Sequence, residues 1–198
     1  MKNKFIATIG GGYWGKNLIR NLDELKSLVG FYDTSKIVRE EISKKYPSIK
    51  AYNTIEELFN DPDVSGVFIA TPAITHGNLA VQALNAGKHV FIEKPMCLDV
   101  EEAKNLIKLS KELDLKLMVG HLLLYHPAFI ALNNIVNDNK LGKLRYIYST
   151  RLSLGKFRKE ENALWSFAPH DISMILSLVK EEPIKVEAFG GNYLEDSV

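Results

Sequence analysis

The stretch FIATIGGGYWGKNLIRNLDELKSLVGFYD, residues 5–33, decides the fold of this chain. A short apolar run over residues 5–9 stops at three glycines, and leucines then recur at helical spacing after Trp14. A second apolar run, residues 28–32, ends at Asp33. The stretch therefore predicts a strand, a glycine turn, a helix and a second strand, which together open an α/β sheet.

The same alternation of apolar runs and helical segments continues to about residue 121. Thr54 with Glu57, and Asp99 with Glu102, are capping pairs that open two of the helices. Six short strands separated by helices predict a Rossmann-type, doubly wound parallel sheet with both faces covered. The predicted strands are residues 5–9, 28–32, 49–52, 64–70, 89–92 and 115–119, and two further helices are predicted over 36–45 and 75–85.

The pattern changes after Pro127. We predict a helix over residues 129–136, a turn at Gly142 and a helix over 169–179 that begins at Pro169. Strict alternation of apolar and polar residues predicts strands over 144–154 and 184–190. Two strands make a poor free-standing sheet, so residues 122–198 predict an incomplete α+β domain after a dinucleotide-binding domain at residues 1–121. Either the chain is truncated, or a homo-oligomer completes the sheet.

Composition restricts the class of partner. The 25 Lys and Arg residues nearly balance 24 Asp and Glu residues, without a basic stripe, so we expect neither nucleic acid nor a membrane surface as partner.

Cys97 is the only cysteine, which excludes an intrachain disulfide and favours the cytoplasm. No apolar run approaches the roughly 18 residues of a membrane helix. The spacings of His121, His126, His170 and Asp171 match no standard ligand pattern, so no metal is predicted.

The glycines of the first turn fit the pattern G-x-G-x-x-G between a strand and a helix. The first glycine permits the tight turn, the second lets a pyrophosphate approach the backbone, and the third lets the helix pack on the strand. A glycine-rich turn that merely connects two elements is the alternative. The predicted cofactor contacts in this turn are Gly10, Gly12, Tyr13, Trp14 and Gly15.

Asp33 ends the second strand, where a carboxylate accepts hydrogen bonds from both ribose hydroxyls of a dinucleotide. A carboxylate would repel a 2'-phosphate, so NAD is expected rather than NADP, although Lys36 leaves NADP open. A methyltransferase with a similar glycine turn is a further alternative.

Further candidates follow the later strands at the carboxyl edge of the sheet, where such folds bind ligands. Thr71 and Pro72 follow the fourth strand as cofactor contacts, with helix entry as the alternative for Thr71. His76 is a cofactor candidate for which a structural role is the stronger alternative. Glu93 and Lys94 end the fifth strand, so Lys94 is expected near the nicotinamide, against the alternative of a solvated surface lysine.

The candidates for proton transfer and substrate binding lie in the second part of the chain. His170 is expected at a helix start, where the positive helix end would keep its ring neutral and able to accept a proton, although a capping or core role is open. Asp171 is explained by the same helix end. His121 and Tyr125 are substrate candidates. Arg151, Lys156 and Arg158 could bind an anionic substrate or form a solvated charged face.

The ordered set GGGYWG, the strand ending at Asp33, IATPAITH, GKHVFIEKPM, VGHLLLYHPA and APHDIS resembles the Gfo/Idh/MocA oxidoreductases. Within that family the chain is most similar to the branch that acts on UDP-linked amino sugar uronates. The resemblance implies an NAD-dependent oxidoreductase acting on a hydroxyl carbon of a sugar or sugar nucleotide. It also implies that Lys94 orients and helps ionise the hydroxyl, that a cis peptide precedes Pro95, and that His170 takes the proton.

The chain departs from the family pattern at two positions and in length. Ser166 stands where many members have Asp, four residues before the histidine, and Leu124 stands where many have Arg. Family members also continue well past this length. A truncated, non-catalytic dinucleotide-binding or regulatory module is therefore the alternative function. The Glu93-Lys94-Pro95 segment argues against the methyltransferase.

Overall fold

A computed structural model describes residues 5–152 and 162–191. It contains one sheet of six strands in the order β3-β2-β1-β4-β5-β6, and every pair is parallel. This is the predicted Rossmann-type sheet, and each predicted strand of the first 121 residues is present. The strands are β1 (Ile6–Ile9), β2 (Leu28–Tyr32), β3 (Lys50–Ala51), β4 (Gly66–Ile69), β5 (His89–Ile92) and β6 (Leu117–Val119).

Five helices connect these strands, and local capping explains where several of them begin. Thr54 Oγ1 accepts from Glu57 N at 3.2 Å, and Asp99 Oδ1 accepts from Glu102 N at 2.8 Å, so both predicted capping pairs are confirmed. The helices are α1 (Gly15–Glu24), α2 (Lys36–Lys45), α3 (Ile55–Asn60), α4 (His76–Asn85) and α5 (Val100–Glu112).

The helices bury apolar side chains in two clusters. Ile19 and Leu22 of α1 join Ile42 of α2 in one cluster with residues of β2. Ala80 and Leu84 of α4 and Leu106 of α5 join the other cluster, with Val67, Ile69, Val90 and Ile92 from the strands. Burial of both faces explains why the strands are nearly continuous apolar runs.

The strand order reverses between β1 and β4, because β2 and β3 extend the sheet to one side of β1 and β5 and β6 extend it to the other. In open α/β sheets the carboxyl ends of the strands at such a reversal form a crevice that binds ligands. The loops after β1, β2, β4 and β5 therefore carry the residues of interest.

The chain divides into two compact units, Met1–Gly120 and His121–Val198. The described residues of the second unit form a 3-10 turn (Leu122–Tyr125) and two helices, α6 (Pro127–Asn137) and α7 (Ala163–Val179). Lys180 Nζ donates to Asn137 Oδ1 at 2.6 Å, which joins the ends of α6 and α7. No helix within the described residues is both long and apolar enough to cross a membrane.

The two strands predicted for the second unit are not found in the described part of the chain. Residues 144–152 and 184–190 carry no strand hydrogen bonding, and residues 153–154 lie outside the described residues. An alternating pattern has no ladder to join without a neighbouring strand, which is the physical reason for the error. Apolar side chains in these two segments are exposed: Tyr146 (83%), Tyr148 (84%), Leu152 (88%), Val186 (78%) and Phe189 (95%).

The predicted start of the last helix is also wrong. Helix α7 begins at Ala163, because Asn162 Oδ1 caps it by accepting from Trp165 N at 3.0 Å. Pro169 lies inside the helix rather than in its first turn. His170 and Asp171 are therefore interior helix residues, so the argument from the positive helix end does not apply to either of them.

Candidate functional site

The turn after β1 is tight where it touches protein and open where a ligand would approach. Gly10 has φ +95°, and a Cβ there would lie 2.6 Å from the carbonyl oxygen of Ala70. A Cβ on Gly15 would overlap the carbonyl oxygen of Gly10, whereas a Cβ on Gly12 would meet nothing within 4 Å. A side chain at Gly12 would fill this open side of the turn, and a pyrophosphate needs the same space. The turn therefore fits a dinucleotide.

Asp33 links the end of β2 to the glycine turn. Its Oδ2 accepts from Gly11 N at 2.7 Å, and its Oδ1 accepts from Ser35 N at 2.8 Å. A carboxylate oxygen has two lone pairs, so each oxygen retains one for a ribose hydroxyl. Asp33 can therefore hold the turn in shape and bind a ribose at the same time.

Two residues that contact Asp33 were not predicted from the sequence. The first is Gly11, where a Cβ would overlap the Ile42 side chain. The other is Arg39 of α2, whose Nη1 donates to the Asp33 carbonyl at 2.6 Å and to the Thr34 carbonyl at 3.2 Å. Two features of the sequence could have indicated these residues. One is the middle glycine of the turn, which had no assigned role, and the other is a basic residue in the first turns of the helix after Asp33.

The loop after β4 is held by its own side chains. Thr71 Oγ1 and Thr75 Oγ1 share a hydrogen bond of 2.7 Å, and Thr75 Oγ1 also donates to the Pro72 carbonyl at 2.7 Å. His76 is buried, with Nδ1 2.7 Å from the Pro95 carbonyl and Nε2 2.8 Å from the Thr71 carbonyl. Because both ring nitrogens are engaged by the backbone, the contacts of His76 favour its structural alternative over a cofactor contact.

Glu93 connects the end of β5 to the glycine turn. Trp14 Nε1 donates to Glu93 Oε1 at 2.6 Å, and the Glu93 side chain is buried. Burial raises the pKa of Glu93, and the hydrogen bond from Trp14 opposes part of that rise. A Cβ on Gly120 would lie 3.0 Å from Glu93 Oε2, so a glycine at the end of β6 leaves room for the carboxyl group.

Lys94 follows Glu93 and is half-buried. The peptide bond between Lys94 and Pro95 is cis, as the resemblance implies. The first unit therefore brings Gly10, Gly12, Asp33, Thr71, Glu93 and Lys94 to the loops at the carboxyl edge of a single sheet.

Arg151, a substrate candidate of the second unit, forms hydrogen bonds with Asp171. Arg151 donates to Asp171 through Nε at 2.6 Å and Nη2 at 3.1 Å, and Ser149 Oγ donates to the same carboxylate at 2.9 Å. The hydrogen bonds from Arg151 lower the pKa of Asp171. Arg151 is thus paired with Asp171, and its binding of an anionic substrate stays a prediction. Lys156 and Arg158 lie outside the described residues.

The remaining candidates of this unit are His121, Tyr125 and His170. Burial lowers the pKa of His121, which favours a neutral ring, and Tyr125 is 63% exposed. His170 is half-buried and lies one helical turn after Ser166 on α7. Within the described ranges, 5–152 and 162–191, no group of three or more His, Cys, Asp or Glu could hold a metal ion.

Comparison with known proteins agrees with this geometry. The profile of the GFO_IDH_MocA group, described as an oxidoreductase family with an NAD-binding Rossmann fold, matches residues 4–121. A UDP-N-acetylglucosamine 3-dehydrogenase from Acidithiobacillus ferrooxidans is 32% identical over 93% of this chain and 57% of its own length. An inositol 2-dehydrogenase from Rhizobium meliloti is 27% identical over 73% of this chain and 46% of its own length.

Solved structures extend the similarity into the second unit. A crystal form of the UDP-N-acetylglucosamine 3-dehydrogenase GnnA from Acidithiobacillus ferrooxidans superposes with a TM-score of 0.86 and 30% identity. That match covers 97% of this chain and 61% of the other. The chain thus spans roughly half of the length of the curated relatives that it matches.

Proposed function

The chain belongs to the Gfo/Idh/MocA oxidoreductase family and carries its NAD-binding Rossmann fold, and from this premise we propose that it transfers hydride between NAD and a hydroxyl-bearing carbon of a sugar or sugar nucleotide. The relatives that support this substrate class are the UDP-N-acetylglucosamine and inositol dehydrogenases. UDP-N-acetylglucosamine is the first compound to test, because the dehydrogenase named for it matches 93% of this chain.

The observation that carries the proposal is the pair formed by the open glycine turn and Asp33. Gly12 leaves space above the turn, and Asp33 keeps one lone pair on each carboxylate oxygen while it holds Gly11 and Ser35. The glycine turn before α1, which is open at Gly12, binds the pyrophosphate, and Asp33 binds the adenosine ribose. The charge of Asp33 opposes a ribose phosphate, which favours NAD over NADP.

NAD supplies the hydride acceptor, and the residues of the chain supply orientation and proton transfer. Lys94 donates a hydrogen bond to the reacting hydroxyl and stabilises negative charge on its oxygen as the proton leaves. His170 accepts that proton at a ring nitrogen. The role of His170 rests on the family resemblance, since its interior position in α7 removes the support that a helix start would have given.

The test is to mix the chain with NAD and a panel of UDP-sugars and inositols and to record the absorbance of reduced nicotinamide. We expect turnover with at least one sugar, and a Lys94→Ala variant that loses about 100- to 10,000-fold in kcat while binding NAD within about threefold. Lys104→Ala, on the exposed side of α5, is the matched control and should behave like the wild type. Confirmed NAD binding without turnover across the panel would reject the proposal.

Ser166 favours a second candidate, a dinucleotide-binding or regulatory module without turnover. A serine at this position cannot act as a carboxylate partner for His170, one turn further along α7. This candidate predicts tight NAD binding, no reduction of NAD, and no measurable effect of Lys94→Ala. A Ser166→Asp variant separates the two, because only an enzyme limited by the missing carboxylate should gain rate.

A further inference from the structure

Trp14 joins the glycine turn to the interior of the first unit. Its backbone is the N-cap of α1 without a side-chain cap hydrogen bond, so the indole is not used to cap the helix. The indole instead donates from Nε1 to Glu93 Oε1 at 2.6 Å. Trp14 is 40% exposed and Glu93 is 9% exposed, so the bond connects a residue of a surface turn to a buried acceptor.

Glu93 is held in place by both neighbouring strands. Its N–H donates to the Ile69 carbonyl of β4 at 2.9 Å. Its other carboxyl oxygen, Oε2, faces Gly120 after β6, where a Cβ would lie 3.0 Å away. A carboxyl group keeps an acceptor oxygen whether or not it is protonated. The bond from Trp14 therefore does not depend on the charge of Glu93.

The glycine turn is thus tethered to a carboxyl group on each side. On the β2 side, Asp33 Oδ2 accepts from Gly11 N at 2.7 Å, and on the β5 side Glu93 Oε1 accepts from Trp14. Strand β4 lies between β1 and β5, so the indole spans the end of β4. In sequence, Gly12 lies between the two tethered residues, and a Cβ there would meet nothing within 4 Å. A ligand group that fills this space would contact the turn between its tethers.

Glu93 is also bonded to the residue that follows it. A hydrogen bond from the backbone of Lys94 opposes part of the rise in the pKa of Glu93. One carboxyl group therefore accepts from the indole of the glycine turn and from the backbone of Lys94. Because the two residues are joined by this hydrogen bond as well as by their peptide bond, a change in the position of Glu93 also moves the backbone of Lys94.

We propose that Trp14 is a positioning residue for Lys94, which couples occupation of the glycine turn to the order of the loop after β5. A diphosphate at Gly12 restricts the turn and Trp14 with it, and the bond from Trp14 to Glu93 then holds the backbone of Lys94. Coupling of this kind is reciprocal, so an ordered loop also favours binding of the diphosphate. The consequence for hydride transfer rests on the proposed function, but the coupling between turn and loop does not.

The coupling is tested by amide hydrogen exchange with saturating ADP. This ligand carries the diphosphate and the adenosine ribose but has no nicotinamide that could contact the loop directly. We expect ADP to slow exchange at residues 93–97 in the wild type but not in Trp14→Phe, which lacks the indole N–H. Amides of α5 report any general stabilisation by the ligand. Trp165→Phe, which changes the other tryptophan of the chain, is the matched control and should keep the response.

Glu93→Gln retains an acceptor oxygen for the indole and should also keep the response. If Trp14→Phe does not fold, the wild type still decides, because exchange at residues 93–97 that ADP leaves unchanged would overturn the proposal. A response that persists in Trp14→Phe would overturn it as well.

In an active chain, Trp14→Phe should lower kcat by about tenfold to 100-fold at saturating NAD, because Lys94 is less well positioned. An unchanged kcat would reject the positioning role. A chain that shows the exchange response but is inactive on every sugar would reject only the proposed function.

Discussion

At the scale of single residues, the carboxyl group of Glu93 connects two loops that lie 79 residues apart in sequence. Trp14, in the glycine turn, reaches across the end of β4 to this side chain at the end of β5. The sequence marked both residues as cofactor contacts but gave no sign that they contact each other. Such a pairing depends on strand order, which a local pattern does not contain.

Trp14→Phe should lower the free energy of unfolding by about 1.5–3 kcal/mol, because it removes the N–H donor and leaves the Glu93 carboxyl buried without that bond. NAD affinity should also fall, since the turn loses its tie to β5. Urea unfolding and calorimetric titration with NAD measure the two effects. Glu93→Gln keeps an acceptor oxygen for the indole and should cost less, so a double-mutant cycle isolates the bond. Additive effects would contradict it.

Glu93 should also make stability depend on pH. Its pKa is raised in the folded chain, so below the pKa of the unfolded chain the carboxyl group is protonated in both states. As the pH rises through the raised pKa, the folded state must bury a charge, and its stability falls. The unfolding free energy of the wild type relative to Glu93→Gln should therefore decrease as the pH rises above about 4, the ordinary pKa range of a glutamate. A constant difference would count against the buried carboxylate.

Asp171 should show the opposite pH dependence. Hydrogen bonds from Arg151 lower its pKa, so its contribution is present above the unfolded pKa and is lost as the pH falls. Asp171→Asn should lower the free energy of unfolding by about 1 kcal/mol near neutral pH, a small effect because the pair is partly exposed. The loss should be smaller in acid. Thermal unfolding of both proteins across the acid range measures this trend, and a larger loss in acid would refute it.

At the scale of elements, the glycine turn was predictable because each glycine answers a local steric demand. Gly10 and Gly15 avoid contacts with backbone oxygens, and Gly12 keeps a space open. The last helix was not predictable to the same degree. Pro169 inside α7 forgoes a backbone hydrogen bond, at a cost of about 3 kcal/mol, so the local pattern favoured a helix that begins at this proline.

Two alanine substitutions in one turn should therefore have opposite consequences. Gly15→Ala should destabilise the fold by more than about 2 kcal/mol, because its Cβ would overlap the Gly10 carbonyl oxygen. Gly12→Ala should leave stability within about 0.5 kcal/mol but weaken NAD binding, because its Cβ enters the open space. Unfolding curves and NAD titrations distinguish the two. A Gly12→Ala variant with unchanged affinity would argue against pyrophosphate at this turn.

At the scale of the whole molecule, the first unit matches expectation. The second contains both predicted helices, although the last one begins at Ala163 rather than at Pro169. The six strands of the first unit pair with one another, so their apolar runs are sufficient signals. The alternating segments 144–152 and 184–190 have no strand partner among the described residues, and most of their apolar side chains are exposed. A strand forms only when a second segment pairs with it by hydrogen bonds. The alternating pattern of one segment alone therefore led to a wrong prediction.

Exposed apolar side chains in these segments should make the chain self-associate. Tyr146 and Tyr148 are 83% and 84% exposed, and Ile184 is fully exposed. Sedimentation velocity at increasing protein concentration should show larger species, and Tyr146→Lys with Tyr148→Lys should reduce them. Lys143→Ala, in the turn before the first segment, is a control that leaves its apolar side chains in place. A monomer at every concentration would contradict this expectation.

The bonds of Asp33 constrain any redesign of cofactor preference. A small neutral residue in its place would admit a phosphorylated ribose beside Arg39. The same change would remove the acceptor of the Gly11 amide. The choice between NAD and NADP and the binding of the pyrophosphate thus both depend on the side chain of Asp33. An engineered switch would succeed only with a substitute acceptor for Gly11, and asparagine, which retains a single acceptor oxygen, is the natural first trial.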